Sequence, residues 1–126
     1  MRKVLVYETN GKCPVEDFFK ASNKKIQSKL KYQLDYIKDE HNPLMEPHIK
    51  HFSIEKYRQL YELRIKAAGM MVRVVFYEQG DKIILLHAFY KKDRKDTEKA
   101  LETGLKLLHS LLESNDTENI VCREMI

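Results

Sequence analysis

The sequence predicts an α+β fold: a small twisted antiparallel sheet with an N-terminal helical hairpin and a C-terminal helix, in the order β-α-α-β-β-β-α. Three observations predict it. Residues 14–40 and about 96–113 repeat apolar side chains at the helical period. Three runs between 60 and 90 are rich in β-branched and aromatic residues and are parted by short glycine-containing turns. A further short β-rich run opens the chain.

Val4 to Tyr7 reads as the first strand, closed by the Asn10-Gly11 breaker. In "PVEDFFKA", Pro14 suits the first position of a helix, where its missing N–H is not needed. Ser22 is placed to cap a second helix, in which Ile26, Leu30, Leu34 and Ile37 form one apolar stripe. Lys24, Lys25, Lys31 and Lys38 lie elsewhere on its surface. "HNP" at 41–43 ends it, because the residue before a proline avoids helical geometry. Residues 44–59 show no clean period, though "HIKHFS" fits a short edge strand. Strands follow at about 60–66, 71–78 and 82–90, the last two joined through "EQGDK". "KIILLHAFY" is apolar on both faces from Ile83 to Leu86, as a central strand covered on each side requires. Leu101, Leu105, Leu108 and Leu112 make the core stripe of the last helix. With 126 residues and no Gly/Pro-rich linker, residues 1–113 are expected to form one domain. The tail 114–126 is expected to be either flexible or a partner-docking segment.

Hydrophobic content of 43% against 33% charged residues fits a soluble globular domain. No apolar run approaches the roughly 20 residues of a membrane helix. The run from Val4 to Tyr7 is also too short for a signal-peptide core, so a cytoplasmic protein is expected. Cys13 and Cys122 form no CxxC and read as buried or idle thiols. His48 and His51, three apart on a strand, point to opposite faces, so no metal site is expected. The net charge of +4 is unevenly spread. Residues 50–99 hold 12 Lys/Arg against 7 Asp/Glu, whereas residues 100–126 hold 2 against 5. A positive patch of that kind favours a polyanion partner over a merely solvated surface only if its members converge.

Alternation in "LYELRIKAAGMMVRVVFY" brings them together. Tyr61, Leu63 and Ile65 share one face of the first strand, and Val72, Val74 and Phe76 share one face of the second. Placing both apolar sets on the core forces Arg64, Lys66 and Arg73 onto the other face. A turn centred between Ala68 and Gly69 makes Arg64 and Arg73 direct cross-strand partners, and Lys66 the partner of Met71. Like charges placed opposite each other cost a few tenths to about 1 kcal/mol, which an anion held by both would offset. Glu62, on the same face, is a candidate to neutralise one of them. The end of the third strand lies beside Arg73's end of the second, bringing Lys91 and Lys92 of "FYKKDRKD" close. Tyr77 and Tyr90 are candidate stacking rings, and Arg94 and Lys95 extend the charge. A basic face with aromatic rings suits single-stranded nucleic acid.

At these residues the chain resembles the RelE/ParE superfamily of toxins from toxin–antitoxin systems, most closely its HigB-type and phage-derived members. The succession "YELR…VRVVFY…LLHAFYKK" and the β-α-α-β-β-β-α order carry the resemblance over about residues 3–112. It implies a type II toxin held inactive by a cognate antitoxin, expected to be a helix-turn-helix protein. It implies cleavage of mRNA on the ribosome by attack of the 2′-hydroxyl, with no metal, no cofactor and no membrane partner. Under that resemblance Arg64 and Arg73 grip the scissile phosphate. Lys91 or Lys92 supplies further charge or moves protons, and Lys66, Tyr77, Tyr90 and Arg94 bind substrate. Two alternatives on the same fold stay open: a ParE-like inhibitor of DNA gyrase, and a non-catalytic relative that only binds a partner. His109 is expected on the packed or surface side of the last helix. His87 is expected as a hydrogen-bonded core residue sharing a face with Leu85 and Phe89.

Overall fold

The computed structural model describes residues 1–113 and 120–124. The chain forms β1 (Lys3–Thr9), α1 (Pro14–Lys20), α2 (Lys24–Lys38), β2 (Ile49–His51), β3 (Leu60–Ala67), β4 (Met70–Gln79), β5 (Lys82–Tyr90), α3 (Arg94–Glu113) and β6 (Ile120–Glu124), with a 3₁₀ turn at Glu55–Tyr57. One sheet runs in the order β2-β3-β4-β5-β1-β6. Neighbours from β2 to β5 are antiparallel, as the alternation and turns predict. The first strand departs from that expectation: β1 lies parallel to β5, with Val4 opposite Ile83 and Val6 opposite Leu85. The helical hairpin between them gives the long crossover that a parallel pair requires. The tail, expected to be flexible or partner-docking, falls partly outside the described residues; within it Ile120–Glu124 pair antiparallel with β1.

Helices cover both faces. On one, α1 and α2 pack Val15, Phe19, Ile26, Leu30, Leu34 and Ile37 against Leu63, Ile65, Val72, Val74, Phe76 and Leu85. On the other, α3 packs Ala100, Leu101, Leu105 and Leu108 against Leu60, Val75, Ile84 and Leu86. Asn23 rather than Ser22 caps α2, its side-chain oxygen accepting from the Ile26 N–H at 2.9 Å; Ser22 instead donates to the Phe19 carbonyl. The entry to α3 is a reciprocal cap. Asp93 Oδ1 accepts from the N–H groups of Lys95 and Asp96, and Asp96 Oδ2 accepts from those of Lys92 and Asp93. These bonds hold the Asp96 carboxyl below the usual carboxylate range. The acidic residues of "KKDRKD" thus fix the backbone on which its basic ones are displayed.

The β3–β4 turn has φ of 54° at Ala68 and 73° at Gly69. Both central residues are left-handed, as a two-residue hairpin matching sheet twist demands. This turn sets the register that the site depends on.

Candidate nucleic-acid interface

The turn places Arg64 directly opposite Arg73 and Lys66 opposite Met71, the register that alternation predicts. On β5, Phe89 stands opposite Arg73. The face shared by these residues is therefore a grid. One row is Glu62, Val75 and His87; the next is Arg64, Arg73 and Phe89. Beyond it, Lys66 faces Met71, whose carbonyl accepts from the Lys91 N–H at 2.8 Å. Lys50 on β2 extends the first row, opposite Glu62.

α3 covers part of this face. A Cβ built on Gly104 of α3 would meet Val75 Cγ1 at 2.8 Å and Leu60 Cδ1 at 3.8 Å, so the helix lies directly on those two residues. In the next row Arg73 is also buried, at 9% exposure, whereas Arg64 keeps 29% of its side chain exposed.

Glu62 decides the electrostatics there. Its carboxylate is 1% exposed, and Oε1 lies 3.4 Å from Arg73 Nε and 3.5 Å from Arg64 Nε. Neither Glu62 Oε2 nor Arg73 Nε has a hydrogen-bond partner among the described residues, so the Arg73 contact is an ion pair without good hydrogen-bond geometry. Arg73 Nη1 donates to the Val72 carbonyl at 3.2 Å. Burial pulls the Arg73 guanidinium below its ordinary value, Glu62 opposes this and Arg64 adds to it. It stays charged, since a guanidinium is too strong a base to lose its proton in such a site. Arg64 is freer, with 29% of its side chain exposed and a second carboxylate, Glu46, at 3.6 Å. Two guanidiniums thus share the buried Glu62 carboxylate and Arg64 also pairs with Glu46, so the two arginines are balanced by two carboxylates, and Arg64 is the one with exposed donors.

Several expected members lie elsewhere. Tyr90 stands opposite Val72 and packs on Phe18 of α1, with centroids 4.7 Å apart; alternation turns it to the face away from Arg73. Tyr77 shares the arginine face, but it pairs with Leu60 and lies two rows away, packed into the core under α3. Lys91 and Lys66 rim the grid. Lys92 and Arg94 are exposed at the α3 entry, Lys92 through its N–H bond to Asp96 and Arg94 as the first helical residue.

The rings beside Arg73 are instead His87 and Phe89, stacked at 5.9 Å and 11°. This corrects the reading of His87. The β4–β5 register slips between Val75 and Phe76, which pair with His87 and Leu85 and leave Leu86 unopposed. That bulge puts Leu85 and His87 on opposite faces. Leu85 joins the core under α1 and α2, while His87 turns to the arginine face, half-buried and without a hydrogen-bond partner among the described residues. Burial pushes its imidazole below the ordinary value. Glu62 lies where alternation puts it, against the arginines it was expected to neutralise. Lys50, His87 and Phe89 are residues of this face that sequence reasoning did not assign, and nothing in the residue pattern marks the bulge. His109 is exposed.

A groove of about 820 Å³, floored by Val4, Phe19, Leu30 and Leu34, lies between β1 and the helical hairpin, away from the arginines. Among the described residues no three His, Cys, Asp or Glu side chains group to hold a metal, and no helix is long and apolar enough to cross a membrane.

No curated protein and no solved structure matches the chain at a significant level. The family described as "Phage derived protein Gp49-like (DUF891)" matches residues 17–109, which run from α1 into α3 and include every residue of the arginine grid. The chain therefore belongs to this phage-derived Gp49-like family, a toxin-like family of toxin–antitoxin contexts.

Proposed function

We propose that the protein is the toxin of a type II toxin–antitoxin module and cuts mRNA on the ribosome by attack of the 2′-hydroxyl on the adjacent phosphate. The observation that carries this reading is Arg64 opposite Arg73, both leaning on the buried Glu62, with Arg64 partly exposed. Membership of a toxin-like family supports it and brings an antitoxin as partner. In-line attack makes a phosphorane with extra negative charge. Fixed guanidinium donors stabilise that charge more than they stabilise the starting diester, and one such donor is worth about 10²–10³ in rate. Their fork geometry matches phosphate oxygens two at a time. Lys66, Lys91 and Lys92 add positive potential, Arg94 extends it along the strand path, and Phe89 offers a base-stacking ring. The cytoplasm, where ribosomes work, is the compartment this reading requires.

The test is break mapping on mRNA in programmed ribosomes, together with growth after induction of the gene alone. The wild-type protein cuts within codons. Arg73→Ala lowers cutting by at least about 100-fold while still folding and still binding its antitoxin. Arg73→Lys also loses most activity, because an ammonium cannot reproduce the fork. Full cutting by Arg73→Ala would sink the site assignment. Intact mRNA with blocked DNA supercoiling would transfer the reading to a gyrase inhibitor, and absence of any toxicity to a partner-binding relative.

A further inference from the structure

The proposed cleavage needs a group that accepts the 2′-hydroxyl proton. We infer that His87 is that acceptor, receiving the 2′-hydroxyl proton beside the phosphate held by Arg64 and Arg73; this rests on the RNA-cleavage reading above.

Geometry carries the inference. His87 stands opposite Val75, one row along from the pair formed by Phe89 and Arg73. It reaches that face only because of the bulge at Leu86. Bulges recur beside active sites because they re-aim a side chain in this way. Its ring lies parallel to Phe89, which fixes its plane. No described residue hydrogen-bonds to it, so its nitrogens are not committed to the fold. The ring is thus held in place by packing alone, half-buried, with both nitrogens left without a partner among the described residues, beside the row that holds Arg73.

Protonation agrees with the geometry. The charged and titratable groups on this face are Arg73 and Tyr77 on β4, Glu62, Arg64 and Lys66 on β3, Lys50 on β2 and Tyr7 on β1, with Glu46 against Arg64 and Lys91 just after β5. From α3, the helix turns Ala100, Leu101 and Gly104 to the sheet, none of them titratable. Burial pushes the imidazole down from its ordinary value near 6.5, so it is neutral and able to accept at pH 7.

The step balances without any further reagent. The 2′-oxygen bonds to phosphorus as its proton passes to an imidazole nitrogen of His87. The P–O5′ bond breaks, its electron pair stays on the 5′-oxygen, and that oxygen takes a proton from the Lys91 ammonium. The products are a 2′,3′-cyclic phosphate and a 5′-hydroxyl, with the enzyme left as imidazolium and neutral amine until solvent resets both.

The experiment is single-turnover cleavage of mRNA on programmed ribosomes by the wild type, His87→Gln and His87→Ala, over a range of pH and with or without added imidazole. Both variants are checked for a cooperative melt and for ribosome binding. We expect His87→Gln to bind normally and cut about 10²–10⁴-fold more slowly. The wild-type rate should rise with pH through a value below about 6.5 and then level, and that acid limb should vanish in the variant. Imidazole should restore part of the His87→Ala rate. Wild-type rates and an unchanged pH profile in both variants would overturn the inference while leaving the RNA-cleavage reading intact, as Arg73→Ala would still be inactive. The acid limb vanishing in Glu46→Gln instead would overturn it too, in favour of the carboxylate paired with Arg64. Absence of cutting by the wild type would overturn the parent reading, and this inference with it.

Discussion

Glu62 Oε1 lies 3.4 Å from the Nε of Arg73, in a carboxylate that is 1% exposed. The same oxygen serves Arg64 at 3.5 Å, so one buried anion holds two cations that β-pairing forces face to face. Fold and candidate function meet at this residue. The carboxylate makes the arginine pair tolerable in the free protein, where Arg73 is buried and Arg64 is partly exposed.

Removing the Glu62 charge should therefore cost stability and sharpen anion binding. Glu62→Gln leaves the almost fully buried Arg73 uncompensated beside Arg64, which keeps Glu46, and breaking a buried pair of this kind costs about 3 kcal/mol. Chemical denaturation measures the loss. Added sulfate should raise the melting temperature of the variant more than that of the wild type, since an external anion can take the carboxylate's place. Equal shifts in the two proteins would separate Glu62 from the site.

Packing at the α3 contact gives an independent test. In an exposed helix, Gly→Ala stabilises by about 1 kcal/mol. At Gly104 the new methyl would sit 2.8 Å from Val75 Cγ1, on a β-branched side chain with little rotamer freedom. Overpacking of this type costs about 1–3 kcal/mol, so Gly104→Ala should be destabilising overall. Adding Val75→Ala should recover much of the loss in a double-mutant cycle, which equilibrium unfolding of the four proteins reads directly.

Stability should depend on pH through His87. Burial lowers its folded-state value, so in mildly acid solution the unfolded chain holds a proton that the folded chain does not. Stability then rises with pH, is complete above the unfolded value of about 6.5, and is lost as pH falls through that window. Asp96, held low by the Lys92 and Asp93 N–H groups, acts in the same sense but nearer the carboxylate range of about 4. His87→Gln should flatten the upper window and leave the lower one. Denaturation midpoints between about pH 3 and 8 distinguish the two; an unchanged upper window would place His87 in solvent rather than in the half-buried row described above.

The sequence by itself determined the hairpin and its consequence. Alternation is a two-residue period, so once Leu63, Ile65, Val72 and Val74 are assigned to the core, Arg64 and Arg73 must share the other face. Ala68-Gly69 then fixes their pairing. Helix positions and the long α3 were legible for the same reason, each resting on a local period or a local stop signal, whereas the edge strand at Ile49–His51 lies in a stretch with no clean period. Tertiary structure decided what no local pattern contains. The parallel seating of β1 on β5 depends on where the helical hairpin crosses. The depth of Glu62 depends on how far α3 reaches over the sheet, which the close approach at Gly104 fixes. The single unpaired Leu86 reverses the alternation of β5, sending His87 and Phe89 to the arginines and Tyr90 away from them. An extra residue in one strand exists only relative to its partner strand, so the chain had to be paired before these rings could be placed.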